Sequence, residues 1–274
     1  MTNRLFVLLT LVSLIFAGCP SPESEERNRA FTGTLLFTSD GVIQRMDLQS
    51  GAITRFAEAH SPCATDQGTV VAVNESSGLV ELSDNGTSRR VIVPIDRMNS
   101  SPHDDGFLDP QVRGERIAYH FAGNSFIVNR STGAVLHVIY NASRPVWIDD
   151  NSVLLKQGDV LRRVDIAAGE SASIATIEGA RDHSISPDKS RIALVEGKDL
   201  FVMNADGSNF KAIISGHTEL RYPVWSRDGS HIIVKDGCDL KLFKVSGGMV
   251  QSFKGRYFSF DEEHCPDTAQ MNWH

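Results

Sequence analysis

Residues 222–234 run Tyr222-Pro223-Val224-Trp225-Ser226-Arg227-Asp228-Gly229-Ser230-His231-Ile232-Ile233-Val234. One strand-like stretch ends at Trp225-Ser226, Asp228-Gly229 supplies a tight turn, and an apolar strand returns through Ile232-Ile233-Val234. Asp-Gly between two β-prone runs is a strong hairpin signal, because the favoured turns place residues at positive φ. The same shape recurs upstream. Arg144-Pro145-Val146-Trp147-Ile148-Asp149-Asp150-Asn151 leads to Val153-Leu154-Leu155, and His183-Ser184-Ile185-Ser186-Pro187-Asp188-Lys189 leads to Ile192-Ala193-Leu194-Val195. Fainter copies are Pro62 to Gly68 before Val70-Val71-Ala72, and Asp109 to Gly114 before Ile117-Ala118-Tyr119.

A second hairpin alternates with the first. Six segments pair two apolar-alternating runs across a turn that carries Gly or Asn/Asp-Gly: 46–56, 80–91, 127–138, 163–174, 202–213 and 242–253. From Gly51 to Gly247 the mean spacing is about 39 residues, close to the ~40–45 of a four-stranded propeller blade. The helical period never holds over three turns. A β-sandwich would also show short strands and turns, but here a composite unit recurs and not the turns alone. The expected fold is therefore all-β: a six-bladed β-propeller of four-stranded antiparallel blades. The first unit is incomplete. Thr34-Leu35-Leu36-Phe37 supplies its returning strand, with no inner strand before it. The C-terminal stretch Gln270-Met271-Asn272-Trp273-His274 has Trp273 where Trp225 and Trp147 stand, so it is expected to complete the first blade and close the ring.

Leu200-Phe201-Val202-Met203-Asn204-Ala205-Asp206-Gly207-Ser208-Asn209, followed by Pro223-Val224-Trp225-Ser226-Arg227-Asp228-Gly229, resembles the repeat of the TolB-like six-bladed propeller family. The match is good over residues 181–257 and one of shape over 33–180. Arg227 stands where that repeat usually has proline, while Ser186-Pro187-Asp188 keeps it. The resemblance implies a binding scaffold of the cell envelope, for a protein or peptide met at one face or in the axial channel. The chain is expected to hold the propeller without the further α/β domain that precedes it in TolB.

The N-terminus carries a different signal. Arg4 precedes an apolar run from Leu5 to Phe16, too short to span a bilayer and of the right length for a signal-peptide core. Phe16-Ala17-Gly18-Cys19 resembles a bacterial lipobox, although Phe16 stands where Leu, Val or Ile is usual. This implies cleavage before Cys19 and its acylation; an ordinary signal peptide with a chance cysteine is the alternative. Two or three acyl chains, at about 0.8 kcal/mol per buried CH₂, would anchor the chain stably. The expected organisation is a signal peptide over 1–18, a lipidated Cys19 with a polar tether over 19–31, and the propeller over 32–274. Such a chain would be lipid-anchored at the cell or outer membrane, facing the periplasm or the exterior.

Export would also place Cys63, Cys238 and Cys265 where disulfides persist. Cys238–Cys265 is the favoured bridge, tying the closing segment to the body, with Cys63 as the rival partner of Cys265; spacing does not settle the connectivity.

The sequence offers little chemistry. A net charge of -7 over 274 residues argues against nucleic acid, whose phosphates need a basic surface. There is no G-x-S-x-G elbow, Walker loop, H-E-x-x-H or C-x-x-C, and no catalytic residue, metal site or cofactor is expected. Asp206-Gly207-Ser208-Asn209 is expected as a hairpin turn and not as a calcium loop. His60, His183, His217 and His264 fall near the entrances to inner strands and are expected as exposed loop residues. Arg144, Arg181 and Arg221 share those entrances, and His183 lies beside them. They are the candidate contacts for an anionic ligand or acidic peptide, unless they pair with acids such as Asp149, Asp182 and Asp228. Trp147, Trp225 and Trp273 are expected to pack between blades. The function expected is that of a monomeric, non-catalytic binding module for an envelope protein or peptide. The alternative is a propeller lyase or hydrolase with its site at the channel mouth.

Overall fold

The structure, a computed structural model, describes residues 33–95, 108–217, 219–253 and 271–273. Among these are 24 strands in six four-stranded antiparallel sheets, and no α-helix. The first blade contains β1 (Thr34–Ser39), β2 (Val42–Asp47) and β3 (Ile53–Glu58). The second runs β4 (His60–Ala64), β5 (Val70–Asn74), β6 (Gly78–Leu82), β7 (Arg89–Pro94), and the third β8 (Leu108–Arg113), β9 (Arg116–Phe121), β10 (Asn124–Asn129), β11 (Val135–Ile139). The fourth is β12 (Ser143–Trp147), β13 (Ser152–Gln157), β14 (Val160–Asp165), β15 (Ser171–Thr176). The fifth is β16 (Ala180–Ile185), β17 (Arg191–Glu196), β18 (Asp199–Asn204), β19 (Lys211–Ile214), and the sixth β20 (Leu220–Trp225), β21 (His231–Asp236), β22 (Asp239–Lys244), β23 (Met249–Phe253). Each blade from the second to the sixth follows chain order; the first takes β24 (Met271–Trp273) as its inner strand, giving β24-β1-β2-β3.

The closure expected from the sequence is present in register. Trp273 pairs with Leu35, Asn272 with Leu36 and Met271 with Phe37. In the fourth and sixth blades Trp147 pairs with Val153 and Trp225 with Ile232, each at the second residue of the next strand, as Leu35 is in β1. The backbone of Trp273 thus occupies the repeat position its sequence neighbours indicated.

The second strand of each blade is apolar on both faces because it lies between two neighbouring blades. All six residues of β21 are buried. Alternate side chains serve alternate neighbours. Leu35 and Phe37 pack with Ile233, Leu240 and Leu242 of the sixth blade, while Leu36 packs with Val70, Ala72 and Val80 of the second. The remaining interfaces repeat this: second with third around Val71 and Ile117, third with fourth around Ile127 and Val153, fourth with fifth around Leu154 and Ile192, fifth with sixth around Val195 and Ile232. The core is therefore six interfaces in a ring, not a single centre.

Polar side chains lock these interfaces. Trp147 Nε1 donates to the Gln111 carbonyl of the preceding blade at 2.9 Å, and Trp225 Nε1 donates to the Ser184 carbonyl of its preceding blade at 3.4 Å. Arg116 and Arg191, which open the second strands of those preceding blades, lie over the Trp147 and Trp225 rings at 5.2 and 5.0 Å. The two guanidinium groups also donate to the Asp150 and Gly229 carbonyls. These two tryptophans pack between blades, as expected. The side chain of Trp273 lies outside the described residues. The turns at Ser186–Ser190 and Ser226–Ser230 share one bonding scheme. The first serine donates to the aspartate, and the second serine donates to it through both its hydroxyl and its amide. In the outer hairpins, glycine serves close approach as well as positive φ. A Cβ on Gly133 (φ +67°) would lie 2.0 Å from the Ile92 carbonyl oxygen of the second blade, and one on Gly207 (φ +87°) would lie 2.4 Å from that of Ile174.

Deleting residues 271–274 should leave β1 without its axial partner and expose buried Leu35, Leu36 and Phe37. We expect a loss of at least about 3 kcal/mol, or a melting temperature about 6–12 °C lower for a domain this size. Unchanged melting by circular dichroism would contradict the closure.

Candidate functional site

The inner strands share a backbone irregularity that builds the site. In β4, β8, β12 and β20 the ladder slips by one residue, and the residue at the slip adopts a left-handed conformation: Ser61 (φ 55°), Asp109 (56°), Arg144 (53°) and Tyr222 (52°). Each is followed by proline: Pro62, Pro110, Pro145 and Pro223. Proline suits this place because it has no N–H for the interrupted ladder to leave unpaired. In β16 the slip falls between Ala180 and Asp182, which puts Asp182 at the same repeat position without proline or positive φ. Left-handed arginine and tyrosine are strained, costing on the order of 1–3 kcal/mol each, and such strain concentrates at binding sites.

These bulge residues meet across four consecutive blades. Arg144 Nη1 lies 2.6 Å from Asp182 Oδ1 and 3.2 Å from Asp109 Oδ2. Arg221 Nε donates to Asp182 Oδ2 at 2.8 Å, and the Tyr222 amide donates to the same oxygen at 3.1 Å. Both guanidinium groups lie over the Tyr222 ring, at 5.5 and 5.0 Å. Asp182 is 2% exposed. Burial raises its pKa, but Arg144 and Arg221 reverse that and hold the carboxyl below the usual range. Asp109 is further from a cation, and burial keeps its pKa raised despite Arg144. Burial and Asp182 push the Tyr222 hydroxyl up to about 12.

This network forms the floor of a cavity of about 290 Å³, at the lower end of the ~300–1,000 Å³ of small-molecule pockets. Its walls come mainly from β8, β12, β16 and β20, four of the inner strands around the axis. Above the charged floor it is lined by Val112, Val146, Trp147, Val224 and Trp225, and its outer edge carries Arg113, Pro187 and Lys189.

The structure divides the candidate residues. Arg144 and His183 line this cavity, and Arg221 reaches its floor through Asp182. Arg181 does not join them: half-exposed, it pairs with equally exposed Glu219 at 2.6 Å. Of the acids considered, only Asp182 takes the arginines. Asp149 pairs with Arg163 at 2.8 Å, and Asp228 is bonded by Ser226 and Ser230.

The expectation of exposed loop histidines is corrected. His60 and His183 lie within β4 and β16, half-buried, because the inner strands begin earlier than the sequence suggested. His183 Nε2 is buried without a hydrogen-bond partner, while His217 is tied to Asp236 at 3.0 Å. His264 lies outside the described residues. Asp109, which the repeat pattern placed only at the start of a faint copy, was not among the candidate site residues, although its signal was available: a residue followed by proline at the same offset in four units.

Cys238, in the turn between β21 and β22, is disulfide-bonded, and its expected partner Cys265 lies outside the described residues. Cys63 is a buried free thiol, pushed up to about 11 by burial. Cys19 also lies outside the described residues. Among those residues no three His, Cys, Asp or Glu side chains form a potential metal cluster, and no helix is long and apolar enough to cross a membrane.

Burial, then the positive charge of Arg144, lowers the His183 pKa from 6.5 to about 4. Between those values the unfolded chain takes up a proton that the folded chain refuses, so this contribution is complete above pH 6.5 and declines as pH falls towards 4. His183→Gln should reduce the slope of stability against pH in that window, measured by urea denaturation. An unchanged slope would show that His183 is not held neutral.

No family model matches the chain, and no curated protein matches it. Solved structures do. TolB from Acinetobacter baumannii superposes with a TM-score of 0.65 at 15% identity, covering 80% of this chain and 63% of that one. This chain therefore spans less than two thirds of the TolB chain. A chain of a nidogen/laminin complex gives 0.66 at 11% identity, covering 81% and 93%. A protein of unknown function from Desulfotomaculum acetoxidans gives 0.55 at 16%, covering 81% and 80%. At these identities the likeness is one of fold: the chain is a six-bladed β-propeller similar in architecture to that of TolB.

Proposed function

We propose that this chain is a lipid-anchored binding module of the bacterial cell envelope, non-catalytic, that takes a protein or peptide segment at the mouth of its axial cavity. The cavity is the observation that carries the reading. It combines an aromatic wall from Trp147 and Trp225 with a fixed polar floor, and aromatic and arginine side chains are the types that dominate protein recognition. The floor is pre-organised, because both Asp182 oxygens are held by arginines and the strained bulges are fixed by the blades around them. A ligand would therefore meet a surface that needs little ordering, which favours affinity. The similarity to a chain that forms a nidogen/laminin complex supports a protein partner, at the level of fold. Anchoring rests on the Phe16-Ala17-Gly18-Cys19 pattern, and the polar stretch after it would act as a tether. Cys238–Cys265 is proposed as the bridge that fastens the closing segment.

Two measurements on the full chain in a bacterial host test this. Intact mass of the membrane-extracted protein should show acylated Cys19 as the first residue, and Cys19→Ser should release the protein from the membrane fraction. A photo-crosslinker at exposed Pro187, on the cavity edge, should give discrete adducts with an envelope protein; one at Val135, 55% exposed on the outer strand β11, should not. Adducts from Val135 alone would place the partner elsewhere and refute the cavity reading.

A further inference from the structure

The charges on the cavity floor are mutually compensated, which makes its arginines poor hosts for an anion. Two carboxylates, Asp109 and Asp182, face Arg144 and Arg221 within ion-pairing distance. The outer edge differs. Lys189 is half-buried, and its Nζ makes one hydrogen bond, 3.3 Å to the Trp147 carbonyl of the neighbouring blade. Among the described residues no carboxylate pairs with it. Its charged neighbour is another cation, Arg113, whose Nε is engaged by a largely exposed Asp150 at 2.7 Å. Burial and then Arg113 both act against the lysine's charge, and among the described residues no anionic group offsets them.

The backbone adds a second, independent observation. Lys189 closes the Ser186–Ser190 turn in the left-handed region, at φ 63°. In the matching turns of the sixth and second blades that place is held by Gly229 (φ 67°) and Gly68 (φ 80°), as local geometry favours. The fifth blade thus carries a long cationic side chain where its sister turns carry none, and that side chain lines the cavity. Strain of this kind persists where surrounding structure fixes it and points to a binding role.

We propose that Lys189, flanked by Arg113, is a carboxylate-binding point at the mouth of the axial cavity, taking an acidic side chain or the C-terminal carboxylate of a bound peptide. This rests on the reading of the cavity as a peptide-binding mouth. The ligand's carboxylate supplies the counter-charge that no described residue gives Lys189, while the residues beside it pack against the Trp147 and Trp225 wall.

The test uses the immobilised full chain and two random hexapeptide libraries, one with free and one with amidated C-termini, retained peptides being sequenced by mass spectrometry. Enrichment of Asp or Glu in the amidated library identifies a side-chain carboxylate; preference for free over amidated termini identifies the C-terminal one. Lys189→Asn should abolish the preference and weaken the selected peptides about tenfold. Asparagine tolerates the left-handed backbone, so the turn is kept. Lys189→Arg, which keeps the charge, should retain the preference. Peptides enriched without any carboxylate preference, or a preference that survives Lys189→Asn, would overturn the assignment and leave the cavity as a peptide site. Enrichment of no peptide from either library would overturn the peptide-binding reading and the assignment with it.

Discussion

The pairing of Leu35, Leu36 and Phe37 with Trp273, Asn272 and Met271 is the constraint on which the rest of this molecule depends. A strand with apolar side chains on both faces needs neighbours on both sides, and its backbone needs partners along both edges. β1 finds β2 on one edge, and only a segment from the far end of the chain supplies the other. Once that pairing forms, the sixth blade packs on the first through Leu35, Phe37, Ile233 and Leu242, and the ring has no open end. Closure removes the long unpaired edges on which sheets aggregate.

A closed ring fixes the inner strands around one axis, and this is what turns a local backbone feature into a site. The bulges at Asp109, Arg144 and Tyr222 and the slip at Asp182 would be unrelated irregularities in an open array of sheets. Held at one level in consecutive blades, they bring Asp109, Arg144 and Asp182 into one ion-pair network, which the Tyr222 backbone amide joins by a hydrogen bond to Asp182. Both Asp182 oxygens are taken, so the network acts as a rigid, nearly neutral floor. The functional contrast lies between that compensated floor and the uncompensated cation at the edge. Affinity for an anion belongs where charge is unspent, at Lys189, and not where guanidinium groups are most numerous.

The fold was legible because its repeat is written in backbone chemistry. Asp228-Gly229 and Asp188-Lys189 mark turns, the runs Ile232-Ile233-Val234 and Ile192-Ala193-Leu194-Val195 mark strands buried on both faces, and Trp273 marks the closing register. The site was legible only in part. Arg144, Arg221 and His183 could be placed near one another from their offsets in the repeat, but offsets say nothing of which way a side chain turns. Arg181 stands one residue before the repeat position that Arg144 and Asp182 share, and it pairs with exposed Glu219 while Asp182 meets Arg144. Asp109 was missed because its unit is among the faintest of the six, though the proline after it was the available sign. Lys189 was read only as part of a turn. Its significance needs the knowledge that no described carboxylate reaches it, and that is a fact of tertiary structure.

Native-state hydrogen exchange tests the closed ring most directly. If the two ends of the described chain are joined as the register requires, the amides of β1 that face β24 will exchange only through global unfolding, with the same free energy and denaturant dependence as the amides of β21 in the sixth blade. If they exchange quickly by local opening while β21 stays protected, the ring is not sealed at this seam, and the shared geometry of the axial site loses its foundation.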